Sequence, residues 1–211
     1  MKIALFGASG TIGRRILQEA LARGHKITAI VRDPSRLDLS HERLAVEKGD
    51  VLDPASVAAS VAGHDVVISA IGPGRNGAPR VIVDAAHALI EGLTRAGVRR
   101  LMVVGGAGSL EIAPGLQVVD SPNFPAQIKP TALAHRDALG VYRAANLDWT
   151  YISPAATIAP GERTGRYRTG SDQLLKDEKG ESRISAEDYA VAFLDEVEQP
   201  RFVRKRMAVA Y

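Results

Sequence analysis

At 211 residues, 45% hydrophobic and 24% charged, the chain is long enough to bury one α/β core, and no composition break or Ser/Gly/Pro-rich linker marks a second domain. Its formal charge of +3 comes from Lys and Arg scattered singly among acidic residues rather than from a basic block, which argues against a nucleic-acid partner. The absence of cysteine excludes a disulfide framework, a thiolate metal site and a thiol nucleophile. His25, His41, His64 and His87 show no ligand spacing, so no metal site is expected. The N-terminus runs into a strand without a basic leader, and no apolar run reaches the roughly 18 residues of a membrane span. A cytoplasmic protein with no membrane partner is expected; its oligomeric state is not legible.

KIALF (2–6) has the length and composition of a strand buried on both faces. A helix follows at once: Ile12, Ile16, Leu17, Ala20 and Leu21 share one face, Arg14, Arg15, Gln18 and Arg23 the other, and Gly24 supplies the stop. KITAIVR (26–32) and RLAVEKGD (43–50) read as the next two strands. Asp53-Pro54 is an N-cap with a first-turn proline, opening a helix through Val61. HDVVISAIG (64–72) is a fourth strand, Pro79 to Ala96 a helix ended by Gly97, and RRLMVVGG (99–106) a fifth strand. Beyond a long 105–130 loop, Thr131 to Asn146 is helical and DWTYISP (148–154) is a strand. The last sixty residues lose this regularity until Ser185, placed to bond the amide of Asp188, caps a helix, and KRMAVAY closes the chain. The alternation predicts a single-domain Rossmann fold, a doubly wound, mostly parallel sheet over residues 1–211, with a small irregular C-terminal region from 155 to 211 on the substrate side.

Gly7, Gly10 and Gly13 stand where the first strand meets the first helix. A backbone that turns there and exposes its amides at a helix N-terminus admits a pyrophosphate, which a Cβ would obstruct. Gly7, Ser9, Gly10, Thr11, Ile12 and Gly13 are therefore the expected phosphate cradle of a dinucleotide.

The spacing GASGTIG differs from the GxGxxG of many dehydrogenases. The stretch GASGTIGRRILQEALARGHKITAIVRDPSRL, the following GDVLDP and the later LDWTYISPA resemble the NAD(P)H-binding, atypical short-chain dehydrogenase/reductase family. Within it the chain is similar to the small one-domain members, the biliverdin-IXβ/flavin reductases and the NmrA-like proteins. The likeness spans nearly the whole chain and is specific for fold and cofactor rather than for substrate.

An NAD site would place an acidic residue about twenty positions past the glycines, where this chain has Val31-Arg32. Arg32, with Ser35 and Arg36 in the next turn, is placed to pair with a 2′-phosphate, so NADP is expected, with NADPH favoured over NADH. The resemblance implies that Asp50 and Val51 meet the adenine, that Ala70, Ile71 and Gly72 lie under the nucleotide, and that Pro154 and Ala155 hold the nicotinamide carboxamide.

No tyrosine is followed four residues later by lysine: Asn146 follows Tyr142, Ala155 follows Tyr151, Ser171 follows Tyr167 and Phe193 follows Tyr189. The usual acid of short-chain carbonyl reductases is thus missing. A small planar acceptor, flavin-like or quinone-like, takes hydride at a ring position and its proton from solvent. The resemblance then implies Ser109 and His135 beside that acceptor. Arg75 and Asn76 in a glycine loop, and Arg163, Arg166 and Arg168 in ERTGRYR, are further candidates for contact with cofactor or substrate. The missing pair fits equally an NADP(H)-binding redox sensor or regulatory protein without turnover.

Overall fold

The computed structural model describes residues 1–74 and 77–211; the loop residues Arg75 and Asn76 lie outside the described residues. In chain order the elements are β1 (Lys2–Phe6), α1 (Thr11–Ala22), β2 (Lys26–Val31), β3 (Leu44–Lys48), α2 (Pro54–Val61), β4 (Val66–Ser69), α3 (Val81–Ala96) and β5 (Arg100–Val104). There follow β6 (Glu111–Ala113), β7 (Leu116–Gln117), α4 (Lys129–Ala144), β8 (Asp148–Ser153), β9 (Thr157–Ala159), β10 (Arg168–Gly170), β11 (Arg183–Ser185), α5 (Ala186–Glu198) and β12 (Lys205–Ala210).

Eight strands form one sheet in the order β10-β12-β8-β5-β4-β1-β2-β3, parallel throughout except for β10 at its edge. The order reverses between β1 and β4, and the crevice outside the carboxyl ends of those two strands is where doubly wound sheets bind their ligands. Within β1, Ile3 and Leu5 face the core beneath α1 and α5, while Ala4 and Phe6 face the one beneath α2, α3 and α4. An unbroken apolar run is what a strand covered on both faces requires, and each such Leu, Ile or Phe contributes about 1.5–3 kcal/mol on burial.

The local signals act as their chemistry dictates. Asp53 accepts the amide of Ala55 at 3.0 Å, with Pro54 in the first turn of α2. Ser185 Oγ accepts the amide of Asp188 at 2.9 Å and caps α5, and α3 ends on Gly97 at φ +71°. The 105–130 loop carries the β6-β7 hairpin, too short to show any periodicity in sequence. The irregular C-terminal region builds the parallel pair β9-β11 and the segment from Gly161 to Tyr167.

That segment is fastened to α1 and α5 by carboxylates. Asp188, fully buried, accepts the amides of Thr164 (2.8 Å) and Gly165 (2.7 Å) and the hydroxyls of Thr164 (2.7 Å) and Tyr211 (2.8 Å). Burial works against its charge, but the bonds from Thr164, Tyr211 and Gly165 prevail and hold its pKa below the usual carboxylate value. Glu187 accepts the amide of Gly161 at 2.7 Å and pairs with Arg15 at 3.0 Å.

Candidate nucleotide and acceptor site

The glycine turn is built by two close approaches. A Cβ on Gly7, which sits at φ +85°, would lie 2.4 Å from Ala70 O, and one on Gly13 would lie 2.1 Å from Gly7 O. The ends of β1 and β4 and the first turn of α1 are thereby pressed together, and only glycine fits. Gly10 differs: a Cβ there would meet nothing nearer than Gly7 O at 3.4 Å, so its open side is the space a ligand would fill. Gly10 is the N-cap of α1, without a side-chain cap and without an acidic residue in the first turn. The amides of Thr11, Ile12 and Gly13 bond to no described residue, and Ser9, Gly10 and Thr11 are exposed. Bare amides at the positive end of a helix dipole fit an anionic phosphate.

At the end of β2, Arg32 and Arg36 are exposed, and their guanidiniums bond to no described residue; the Arg36 amide donates to the Asp33 carbonyl at 3.2 Å. Ser35 is differently engaged. Its hydroxyl (2.7 Å) and amide (3.1 Å) both donate to Asp33, which holds that carboxylate below its usual pKa and turns it into the Pro34–Arg36 turn. Ser35 therefore has no free donor for a further ligand, whereas the two guanidiniums bond to no described residue. Asp50 accepts the amide of Leu52 at 3.0 Å, while the amide of the buried Val51 bonds to no described residue. Ala70 and Ile71 are partly buried, and Gly72 faces open space.

At the end of β8, Pro154 and Ala155 are buried, and the amide of Ala155 bonds to no described residue. Beside them Ser153 Oγ is fully buried without a partner. A buried hydroxyl left unbonded costs about 1–3 kcal/mol, so both groups suit a carboxamide. The residues present thus fit a dinucleotide at its pyrophosphate, through the bare amides of α1, and at its carboxamide, through the end of β8.

The acceptor side departs from expectation in three places. Ser109 is buried, and Arg206 donates to its Oγ at 3.0 Å; Arg206 in turn holds Asp172 through Nε (2.9 Å) and Nη2 (2.7 Å). Ser109 therefore belongs to a clamp joining the loop after β5 to β12 and to the segment after β10, rather than to an open pocket. Arg163 is the second departure: it grips Glu19 on α1. Arg168, the third, donates to the carbonyls of Lys176 and Tyr211. Of that trio only the Arg166 guanidinium has no bond to a described residue; its amide donates to Thr164 Oγ1 at 3.1 Å.

His135, on α4, lies on the end of β5, where a Cβ on Gly106 would be 2.9 Å from its Cβ and 3.0 Å from its ring. Its Nδ1 is 3.1 Å from the Tyr151 hydroxyl, which donates to the His135 carbonyl at 2.9 Å. Burial pushes the imidazole pKa down to about 4, so the ring is neutral at pH 7. Burial likewise drives the Tyr151 phenol well above its ordinary range. The Arg206 clamp was not legible in the sequence because Ser109 and Arg206 lie 97 positions apart, and the Tyr151 contact because it depends on how α4 packs on the sheet. The one local signal was GGAG (105–108), whose glycines admit Tyr151, His135 and Ala132.

Residues 7–200 match the family model described as NAD(P)H-binding. The chain belongs to the NAD(P)H-binding family. The Bacillus subtilis protein YwnB is 40% identical over 99% of this chain and 98% of its own. A solved structure from Burkholderia pseudomallei, described as a candidate exported protein, has 54% identity and a TM-score of 0.92, with both chains covered completely. Another, from Streptococcus pneumoniae, is described as a candidate NADH-flavin reductase; it is 34% identical with a TM-score of 0.89, covering 100% of this chain and 99% of that one. The likeness to NAD(P)H-binding short-chain dehydrogenase/reductase-like proteins read from the sequence, and the Rossmann architecture, both hold. Among the described residues no helix is long and apolar enough to cross a membrane.

Proposed function

We propose that the protein is an NADPH-dependent reductase that passes hydride to a small planar acceptor. The observation that carries this reading is the pairing of a bare, glycine-built phosphate cradle at the β1-β4 crevice with an acceptor side that, among the described residues, has no free proton donor of the tyrosine kind. The likeness to the candidate NADH-flavin reductase of Streptococcus pneumoniae supports a reductase of this class.

In this reading Gly7, Ser9, Gly10, Thr11, Ile12 and Gly13 receive the pyrophosphate, and Arg32 with Arg36 receives the 2′-phosphate that selects NADPH. Asp50 and Val51 meet the adenine, Ala70, Ile71 and Gly72 form the floor, and Pro154 and Ala155 orient the carboxamide. When bound, the cofactor supplies a hydride, two electrons with one proton, to a ring position of the acceptor, and solvent supplies the second proton. The chain's own work is positioning: the cradle fixes one ring, while His135, Gly106 and the 155–211 region fix the other. Tyr151 supplies no proton, because its only one is spent on the His135 carbonyl and burial opposes its loss. The reading places the protein in the cytoplasm, where NADPH is regenerated.

The test is NADPH and NADH oxidation measured against a panel of flavins, quinones and linear tetrapyrroles. Turnover with at least one planar acceptor and preference for NADPH are expected. Tight NADPH binding with no turnover on any of them would return the chain to a sensing role.

A further inference from the structure

We infer that the cleft between β9, β11 and the chain from Pro160 to Arg166 is a second ligand site, separate from the nucleotide cradle, and that it takes a small oxyanion, a phosphate or a carboxylate, on the guanidiniums of Arg166 and Arg183. The cleft has a volume of about 880 Å³, and no residue from Gly7 to Gly13 lines it. Such a site is independent of the reductase reading. Among the residues that line it, Arg163, Arg166 and Arg183 are cationic and Glu162 alone is acidic. Glu162 is bonded through its carbonyl, by Ser185 Oγ at 2.8 Å, and its carboxylate pairs with no described cation. The other carboxylates of this region are engaged. Glu19 holds Arg163 at 2.8 Å, Glu187 pairs with Arg15 at 3.0 Å, and Asp188 accepts the bonds from Thr164, Gly165 and Tyr211. With Arg163 neutralised, two guanidiniums stand against one carboxylate.

One wall is held in a single shape although it faces solvent. Every residue from Gly161 to Arg166 is exposed, and an exposed loop is ordinarily left loose. Here Glu187 holds the amide of Gly161 at 2.7 Å, and the fully buried Asp188 holds those of Thr164 and Gly165. Burial disfavours a charged carboxylate, so fixing a surface segment with one favours a single shape more than it adds stability. On that wall the Arg166 guanidinium bonds to no described residue. On the other, the Tyr211 hydroxyl donates to Asp188 at 2.8 Å and accepts the Ser185 amide at 3.1 Å, which fixes its ring. Arg183 lies 5.6 Å over the centre of that ring, within cation–π range. Its carboxylate neighbour Glu181 is 3.3 Å away, but both side chains are more than half exposed, so water screens the pair. A guanidinium presents its N–H groups as a planar fork that matches two oxygens of a carboxylate or phosphate. Walls already fixed, carrying forks that are not filled, take up an oxyanion with little further ordering.

The test is calorimetric titration of the full chain with inorganic pyrophosphate and with citrate, each in saturating NADP⁺ so that the cradle is already filled. Binding of at least one of the two anions at a single site is expected, and the tighter of them tells a phosphate ligand from a carboxylate one. Arg166→Ala and Arg183→Ala are each expected to weaken that binding about tenfold or more, the loss of a charge-assisted bond. Both side chains are exposed, so neither replacement threatens the fold. Arg95→Ala removes the same charge from α3, on the opposite face of the sheet, and is expected to leave anion binding within about twofold. NADP⁺ affinity is expected to be equal in Arg166→Ala and the parent. No binding of either anion, binding that survives both cleft replacements, or an equal loss in Arg95→Ala overturns the site. A loss of NADP⁺ affinity in Arg166→Ala that matches its loss for the anion puts Arg166 in the nucleotide site and overturns it too. Because none of these readouts involves turnover, the outcome does not depend on whether the protein is a reductase.

Discussion

Arg163 grips the Glu19 carboxylate with Nε and Nη2, both at 2.8 Å, and so ties the chain beyond β9 to the body of α1. The Arg163 bond is the leading cause holding Glu19 below its usual pKa, and Arg23 holds the same carboxylate from the other side at 2.8 Å. Arg163 is itself half-exposed, so its pair contributes at most about 1 kcal/mol. Arg163→Ala is expected to lower the urea midpoint slightly and to leave the KM of every acceptor unchanged. A rise in KM for acidic acceptors alone would mean that Arg163 meets substrate.

Gly10 and Gly13 are separable by experiment. Gly13→Ala drives a methyl against the Gly7 carbonyl and is expected to cost about 1–3 kcal/mol of stability. Gly10→Ala costs about 1 kcal/mol or less as a weakened N-cap, yet places its methyl in the ligand's space and is expected to weaken NADPH and NADH alike by tenfold or more. Denaturation curves and calorimetric titration of each variant check this; Gly10→Ala with full affinity would remove the turn from the site.

Arg32→Ala is expected to weaken NADPH binding by roughly tenfold or more while hardly changing NADH, the loss of one charge-assisted bond. Arg36→Ala acts in the same direction. Ser35→Ala is expected to be near neutral for both nucleotides, because its donors already serve Asp33. Equal loss for the two nucleotides on replacing Arg32 would sink the assignment.

Acid catalysis by tyrosine is expected to be absent. Burial drives the Tyr142 phenol well above its ordinary range, and burial with the Asp195 bond pushes that of Tyr167 up to about 12. Tyr142→Phe and Tyr167→Phe should each keep kcat within about tenfold, where loss of a true acid costs about 10²–10⁴. Ser109→Ala should likewise spare kcat but lower stability by about 1–3 kcal/mol, because the buried Arg206 loses one of its acceptors. A thousandfold fall in kcat in any of the three, with cofactor binding intact, would show a catalytic group.

Asp188 makes folding sensitive to acid. Its folded pKa is depressed, so its contribution is complete above the unfolded carboxylate value, near pH 4, and is lost as pH falls from there through the lower folded value. Asp188→Asn is expected to lower the urea midpoint clearly at pH 7, since donors on Thr164, Gly165 and Tyr211 then face an amide. The gap between variant and parent should narrow at pH 3. A gap that does not change with pH would remove the charge from the account.

The sequence alone determined the architecture and the cradle, because both rest on local chemistry. The run Ile3–Phe6 demands burial on both faces, Asp53 and Ser185 cap helices through amides two and three residues away, and Gly7 and Gly13 leave room that no other residue leaves. The position of Arg32 at the end of β2 was legible for the same reason, since it follows from counting along one βαβ unit, while its pairing with a 2′-phosphate is a proposal. Only the tertiary structure decided what Ser109, Arg163, Ser35 and His135 do. Ser109 meets Arg206 across 97 positions, Arg163 meets Glu19 across 144, and His135 meets the Tyr151 hydroxyl from the strand that follows its helix. Ser35 is a matter of orientation: the sequence allowed its hydroxyl to face either a phosphate or Asp33, and the turn chose Asp33. A polar side chain's role is fixed by whichever donor or acceptor first satisfies it. When that partner comes from another element, only the folded chain brings the two together.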